Sequence, residues 1–204
     1  MSVAICKLLT YKGQYTMCHI KVPDVDDRLS AIKIGNQYYS LFRRFENAEA
    51  TMSALDKLAR QGNELLALTR PTNNGYVMWA LELEAQVFRG SRKDGRRWPT
   101  HGPASCLILG DAKQYHQCYI QVPDLAQPMV ALRHDEKFYS VYRPGLEASE
   151  AFDIAAQLTG RGHDGAIAST TKGYAVCLWE PEATAHEPEV AAHTPDTPQA
   201  PKEQ

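Results

Sequence analysis

The stretch YTMCHIKVPD, Tyr15 to Asp24, returns 100 positions later as YHQCYIQVPD, Tyr115 to Asp124, and the reading of the whole chain works outward from that recurrence. Residues 4–72 align with 104–172 without a gap, and 17 of the 69 pairs are identical. A two-residue deletion then brings Gly75 and Tyr76 onto Gly173 and Tyr174. A long period present twice indicates a tandem duplication. The expected division is a first repeat unit over 1–85, a basic linker over 86–103, a second unit over 104–180 and a disordered acidic tail over 181–204. The tail is rich in Pro, Ala, Thr and acids and has no apolar period.

Within a unit the apolar period switches once. Residues 2–9, mostly apolar, and the strand-like 15–22 flank a turn at Tyr11 to Gln14 and read as a first hairpin; residues 29–34 and 38–45 about Gly35 to Gln37 read as a second, with Val25 to Arg28 as a polar crossing. From Ala48 to Arg60 the apolar residues recur every three to four positions, which predicts an amphipathic helix capped by Asn47 and ended by Gly62. Two more strands, 64–69 and 76–83, follow about an Asn-Gly turn. The expected fold is therefore α+β: a ββββαββ unit used twice, mainly antiparallel, with the sheets of the two units packed face to face or side by side about a pseudo-twofold axis.

Composition narrows the function classes. A hydrophobic fraction of 44%, a charged fraction of 23% and a formal net charge of -2 describe an ordinary globular chain with no overall attraction to nucleic acid or to a membrane surface. No apolar run reaches the roughly 18 residues that a spanning helix needs. The first residues read as a strand rather than a leader, so the expected location is cytoplasmic with reduced thiols.

Three groups of residues are candidates for chemistry. If the first hairpin forms, Cys6 faces Cys18 and Cys106 faces Cys118, and four thiols could meet as a metal site or pair as disulfides; small buried packing residues are the plainer reading, because no C-x-x-C knuckle is present. Tyr39 with Arg43 and Tyr139 with Arg143 fall on one strand face at alternating spacing. Each arginine could offer its planar fork to a ligand or simply pair with Glu82 or Glu180. The linker carries Arg89, Arg92, Lys93, Arg96 and Arg97 beside Trp98, a set able to grip a phosphate backbone and stack on a base. No catalytic residues and no cofactor are expected. The favoured function is non-catalytic, a binding or adaptor protein whose two diverged unit surfaces engage a protein partner. The alternatives are a nucleic-acid binder acting through the linker, and a small-molecule or metal-responsive module.

Overall fold

The computed structural model describes residues 3–61, 64–70, 75–87 and 102–186. Fourteen strands and two α-helices follow in the order β1 (Ala4–Leu9), β2 (Thr16–Val22), β3 (Val25–Ile34), β4 (Gln37–Phe45), α1 (Ala48–Gln61), β5 (Glu64–Thr69), β6 (Tyr76–Glu82), β7 (Gln86–Val87), β8 (Cys106–Leu109), β9 (His116–Gln121), β10 (Met129–His134), β11 (Lys137–Leu146), α2 (Ala148–Gly160), β12 (Gly165–Thr170), β13 (Gly173–Trp179) and β14 (Thr184–His186). All the strands join one mostly antiparallel sheet, ordered β14-β9-β10-β11-β13-β12-β8-β1-β5-β6-β4-β3-β2-β7. The parallel pairs are β1 with β5 and β8 with β12. From the central β8–β1 seam the two arms read alike, since each step outward meets the element of matching rank in its half.

The seam overturns the expected first hairpin. β1 pairs with β5 on one side and with β8 on the other, and Cys6 stands opposite Cys106. Four strands, β5, β6, β4 and β3, separate β1 from β2. The reason lies in the burial of β1: Ala4, Cys6 and Leu8 pack toward the helices, whereas Leu9 packs in a cluster with Ile32 and Tyr39. A strand apolar on both faces belongs inside a sheet, where its two edges are also satisfied. The chain leaves β1 through a single 3-10 turn at Lys12–Gln14, in which the Gln14 carboxamide oxygen accepts from the Thr10 amide at 2.7 Å and the Tyr11 amide at 3.3 Å. That turn redirects the chain instead of folding it back. The two halves accordingly meet edge to edge, and no face-to-face sheet packing occurs among the described residues.

Both helices lie on the same face as Cys6 and Cys106. The apolar stripe of α1 buries Ala48, Thr51, Met52, Leu55 and Ala59, and the Asn47 carboxamide accepts from the Ala50 amide at 2.8 Å as an N-cap. Met52 and Leu55 are fully buried, which stabilises the fold by about 1.5–3 kcal/mol each. α2 buries Ala148, Ala151, Phe152, Ala155, Ala156 and Thr159, and it ends where Gly162 takes a φ of +93° and the His163 amide reaches the Leu158 carbonyl at 3.2 Å. Gly62 lies outside the described residues.

The helices cross the seam. Tyr76 of β6 meets the Phe152 ring of α2 at 5.2 Å, and Arg70 pairs with Asp153 at 2.6 Å. From the other side α1 reaches into the second half, as detailed below. The pairing register also redistributes the two-residue deletion. Leu66 lies between Cys6 and Ala80 as Gly165 lies between Cys106 and Leu178, so one residue is lost before β12 and the other in the β12–β13 turn.

Two expected non-strand segments are strands. Gln86–Val87, placed in the linker by sequence, pairs with β2, and Thr184–His186, placed in the tail, pairs with β9. Each closes one end of the sheet with two or three residues, short enough to leave little template for uncontrolled pairing. Val25 to Arg28, expected as a crossing, opens β3.

Candidate functional site

The cysteine cluster that the first hairpin would have allowed does not form. Cys18 stands opposite Ala31 and Cys118 opposite Ala131, far out on the arms, while Cys6 and Cys106 meet at the seam. All five thiols are free, and no group of three or more potential metal ligands occurs among the described residues. Burial pushes the Cys6 and Cys177 thiols up to about 12, and it raises Cys106, Cys18 and Cys118 as well. These groups are held protonated at neutral pH, which makes them poor nucleophiles and good packing residues.

The expected pairing of Tyr39 with Arg43 on one face is also undone. A bulge in β4 falls between Leu41 and Arg43, so that Tyr39 stands opposite Leu81 but Arg43 stands opposite Met78. Met78 belongs to the helix-side cluster, whereas Leu81 packs with the cluster on the opposite face. Cross-strand partners share a face, so the bulge sends Arg43 and Tyr39 to opposite sides. β11 repeats this, with Tyr139 opposite Trp179 and Arg143 opposite Val176. Tyr39 and Tyr139 are buried, which pushes both phenols up to about 12, and the Tyr39 hydroxyl donates to the Gln37 carboxamide at 3.0 Å. Arg43 is exposed and lies 5.4 Å above the Phe45 ring. Nor does either arginine pair with Glu82 or Glu180. Those carboxylates accept instead from Ser40 at 2.6 Å and Ser140 at 2.7 Å. Arg89, Arg92, Lys93, Arg96, Arg97 and Trp98 lie outside the described residues.

What the structure does assemble is a cleft of ≈ 1240 Å³ in the second half. One wall is the link from β8 to β9, a second is β10 with β11, and a third is the β12–β13 turn, with Arg60 of α1 at the margin. The link is tied to α1 by short polar contacts. Arg60 donates from Nη2 to the Gly110 carbonyl at 2.7 Å, and the buried Gln114 donates to the Ala59 carbonyl at 2.9 Å. Gly110 is required there, because a Cβ at that position would lie 2.6 Å from the Asp56 Cα. Asp56 accepts from the Ser169 hydroxyl at 2.8 Å, and the Tyr115 hydroxyl donates to the Ser169 carbonyl at 2.8 Å. Burial raises the Asp56 carboxyl above the usual range, against the opposing pull of the Ser169 hydroxyl and the Arg60 charge.

The less exposed lining of the cleft is apolar, with Met129, Leu132, Val141 and Ala175, and the exposed lining carries Val130 beside the polar His116, Thr170 and Lys172. By register, first-half residues bulkier than their counterparts stand at two of these positions: Leu41 for Val141 and Val77 for Ala175. Where β4 runs Arg44–Phe45, β11 runs Pro144–Gly145 through a second bulge, and Leu146 rather than Gly145 takes the place opposite the β13 tyrosine. Sequence reasoning missed this site. The identical Gln14-Tyr15 and Gln114-Tyr115 pairs mark only the turn with a buried glutamine that both halves share, not the cleft that the second half alone carries. No helix of the described residues is long and apolar enough to cross a membrane. Comparisons with protein-family models, with curated proteins and with solved structures find no match for this chain.

Proposed function

We propose that the chain is a non-catalytic binding protein, a tandem duplication of one ββββαββ unit in which the second copy has opened a cleft for a segment of a protein partner. The observation that carries this reading is the cleft itself, whose less exposed lining is mainly apolar and whose exposed lining is mainly polar. That distribution is the anatomy of a recognition surface, in which apolar anchors are buried at the centre and polar groups stay wet at the margin. Its volume exceeds the range of about 300–1,000 Å³ usual for small ligands, which favours a peptide segment over a metabolite. Divergence between the halves supports the same view: Val130 replaces Ser30, and the second bulge of β11 at Pro144–Gly145 has no counterpart in β4, while the buried Ser40 and Ser140 are retained. The five protonated thiols serve packing, and they fit a reducing, cytoplasmic setting.

Selection of random peptides displayed on phage, using the full-length protein as bait, tests this reading. Val130 is 36% exposed, and Val130→Asp, its folding checked by thermal unfolding, places a charge in the cleft. It should weaken the selected peptides by about tenfold or more, while Ser30→Asp, at the equivalent position of the first half, should change nothing. Peptides indifferent to Val130→Asp would sink the proposal. Salt-sensitive nucleic-acid binding abolished by Arg96→Ala with Arg97→Ala would replace it with the linker-based alternative.

A further inference from the structure

The last strand points at the cleft. β14 runs antiparallel to β9, with Thr184 opposite Gln121 and His186 opposite Tyr119, so the chain is travelling toward Gln117 and His116, which line the cleft. Residues 187–204 lie outside the described residues. They begin with Glu187, Pro188 and Glu189, followed by the apolar Val190, Ala191 and Ala192. Continued pairing would set Pro188 level with Gln117, where it lacks the donor that a ladder uses. The ladder therefore has its natural end beside the cleft. The start of β9 also borders the cleft closely, because this arm of the sheet curls: Leu132 of β10 packs in one cluster with Leu109 of β8 and Ala168 of β12, strands that are not its neighbours. The Tyr115 hydroxyl, donating to the Ser169 carbonyl at 2.8 Å, brings the start of β9 against β12. A chain that turns over Tyr115 and His116 comes to lie on Val130, Leu132 and Val141. From His186, six extended residues reach up to about 20 Å.

Charge selects the same segment. Among the described residues, Arg60 and Lys172 line the cleft against one carboxylate, Asp111, which accepts from the Lys113 amide at 2.9 Å. The Lys172 side chain has no ion pair among the described residues. The other long stretch outside them, 88–101, carries Arg89, Arg92, Lys93, Arg96 and Arg97, the same sign as that lining. Its flanks sit on the first half, where Val87 pairs with Ile20 and Gly102 lies against Ile34. We propose that residues 187–192 of the same chain fold back into the cleft, with the Glu187 and Glu189 carboxylates toward Lys172 and Arg60 and Val190 over Val130 and Leu132, and that a partner segment binds by displacing them. Val190 and Ala192 are small anchors, but a short tether holds them at an effective concentration on the order of millimolar. A partner with bulkier apolar side chains takes the site from them. The docking of the tail stands by itself, whereas its displacement rests on the cleft-binding reading.

The test is amide exchange at residues 189–192 in the full-length protein, read against a synthetic peptide of residues 187–204. Docking predicts slowing by roughly fivefold or more. Val130→Asp should abolish the slowing. Lys172→Glu should cut it about two- to fivefold, and Glu187→Lys with Glu189→Lys should restore it in the Lys172→Glu background. Thermal unfolding checks that each variant is folded. Glu187→Lys with Glu189→Lys alone, by releasing the tail, should tighten a peptide selected on the full-length protein by about twofold or more. Exchange as fast as in the synthetic peptide would overturn the proposal, and the cleft reading would survive it if selected peptides still lose affinity to Val130→Asp. Slowing that Val130→Asp leaves untouched would mean that the tail only prolongs β14 along β9. Slowing that fades on dilution would mean that the tail enters a second copy. Either result overturns the proposal. A docked tail with peptides indifferent to Val130→Asp would remove the partner and keep the tail.

Discussion

Arg44 and Phe45 carry β4 to its end with a single bulge, whereas Pro144 and Gly145 carry β11 to the same place with two. Both strands then deliver the chain to a helix that starts at an alanine, Ala48 or Ala148, and both helices lie on the same face of the sheet. The strand order is untouched by the difference; the local surface is remade. A bulge adds a residue to one strand without disturbing the ladder on either side of it, so a half can change a wall of its cleft while keeping every neighbour. Pro144 fits such a position because an irregular ladder has no fixed demand for its missing donor.

The comparison between the halves can be broken most forcefully at the link after the first strand. Gly110→Ala should cost about 2–3 kcal/mol in urea or thermal unfolding, because its Cβ would press on the α1 backbone at Asp56. Thr10→Ala, at the equivalent exposed position, should stay within about 0.5 kcal/mol. Equal effects would mean that the two links are not packed differently after all. A smaller loss is expected at the second bulge. Gly145 has a φ of +69° with its nearest neighbour at an ordinary 3.8 Å, so Gly145→Ala should cost about 1–2 kcal/mol through backbone strain alone. A neutral result would show that β11 relaxes into the single-bulge path of β4.

The least effect belongs to Asp56, whose counterpart in α2 is Ala156. Burial raises its folded pKa above the unfolded value, so the folded state binds the proton more tightly. Between the ordinary carboxylate range and that raised value, stability therefore falls as pH rises, and the penalty persists above it. Asp56→Asn keeps an acceptor for Ser169 and removes the ionisation. It should be neutral or stabilising by up to about 0.5 kcal/mol at pH 7, with the gain vanishing as the pH falls into the acid range. A loss of stability at pH 7 would show that the charge on Asp56 is favourable where it stands, through Arg60.

Local chemistry was legible in the sequence and long-range pairing was not. The stripe of Ala48, Met52, Leu55 and Ala59, the Asn47 cap, the positive φ at Gly162 and the hairpin of β3 with β4 follow from interactions a few residues apart. β1 was misplaced because its partners, β5 and β8, lie about 60 and 100 positions away, and an apolar run carries no address. Tyr39 and Arg43 were set on one face because strict alternation was assumed across a bulge that no residue type announces. The cleft escaped for a related reason. A gapless offset of 100 laid Gly145 over Phe45, and only the pairing register reveals that Leu146 fills that role.

The antiparallel seam between β1 and β8 has a consequence for the order of events at the ribosome. The first half emerges complete in its own strands, yet β1, with Ala4 and Cys6 fully buried in the finished molecule, then presents one edge that β8 covers only later. That edge waits for Cys106 to leave the exit tunnel. In the interval it is an unpaired edge, the kind of surface that can template pairing with another chain. Exchange of the late strand between two such chains would give a swapped dimer held by the same contacts.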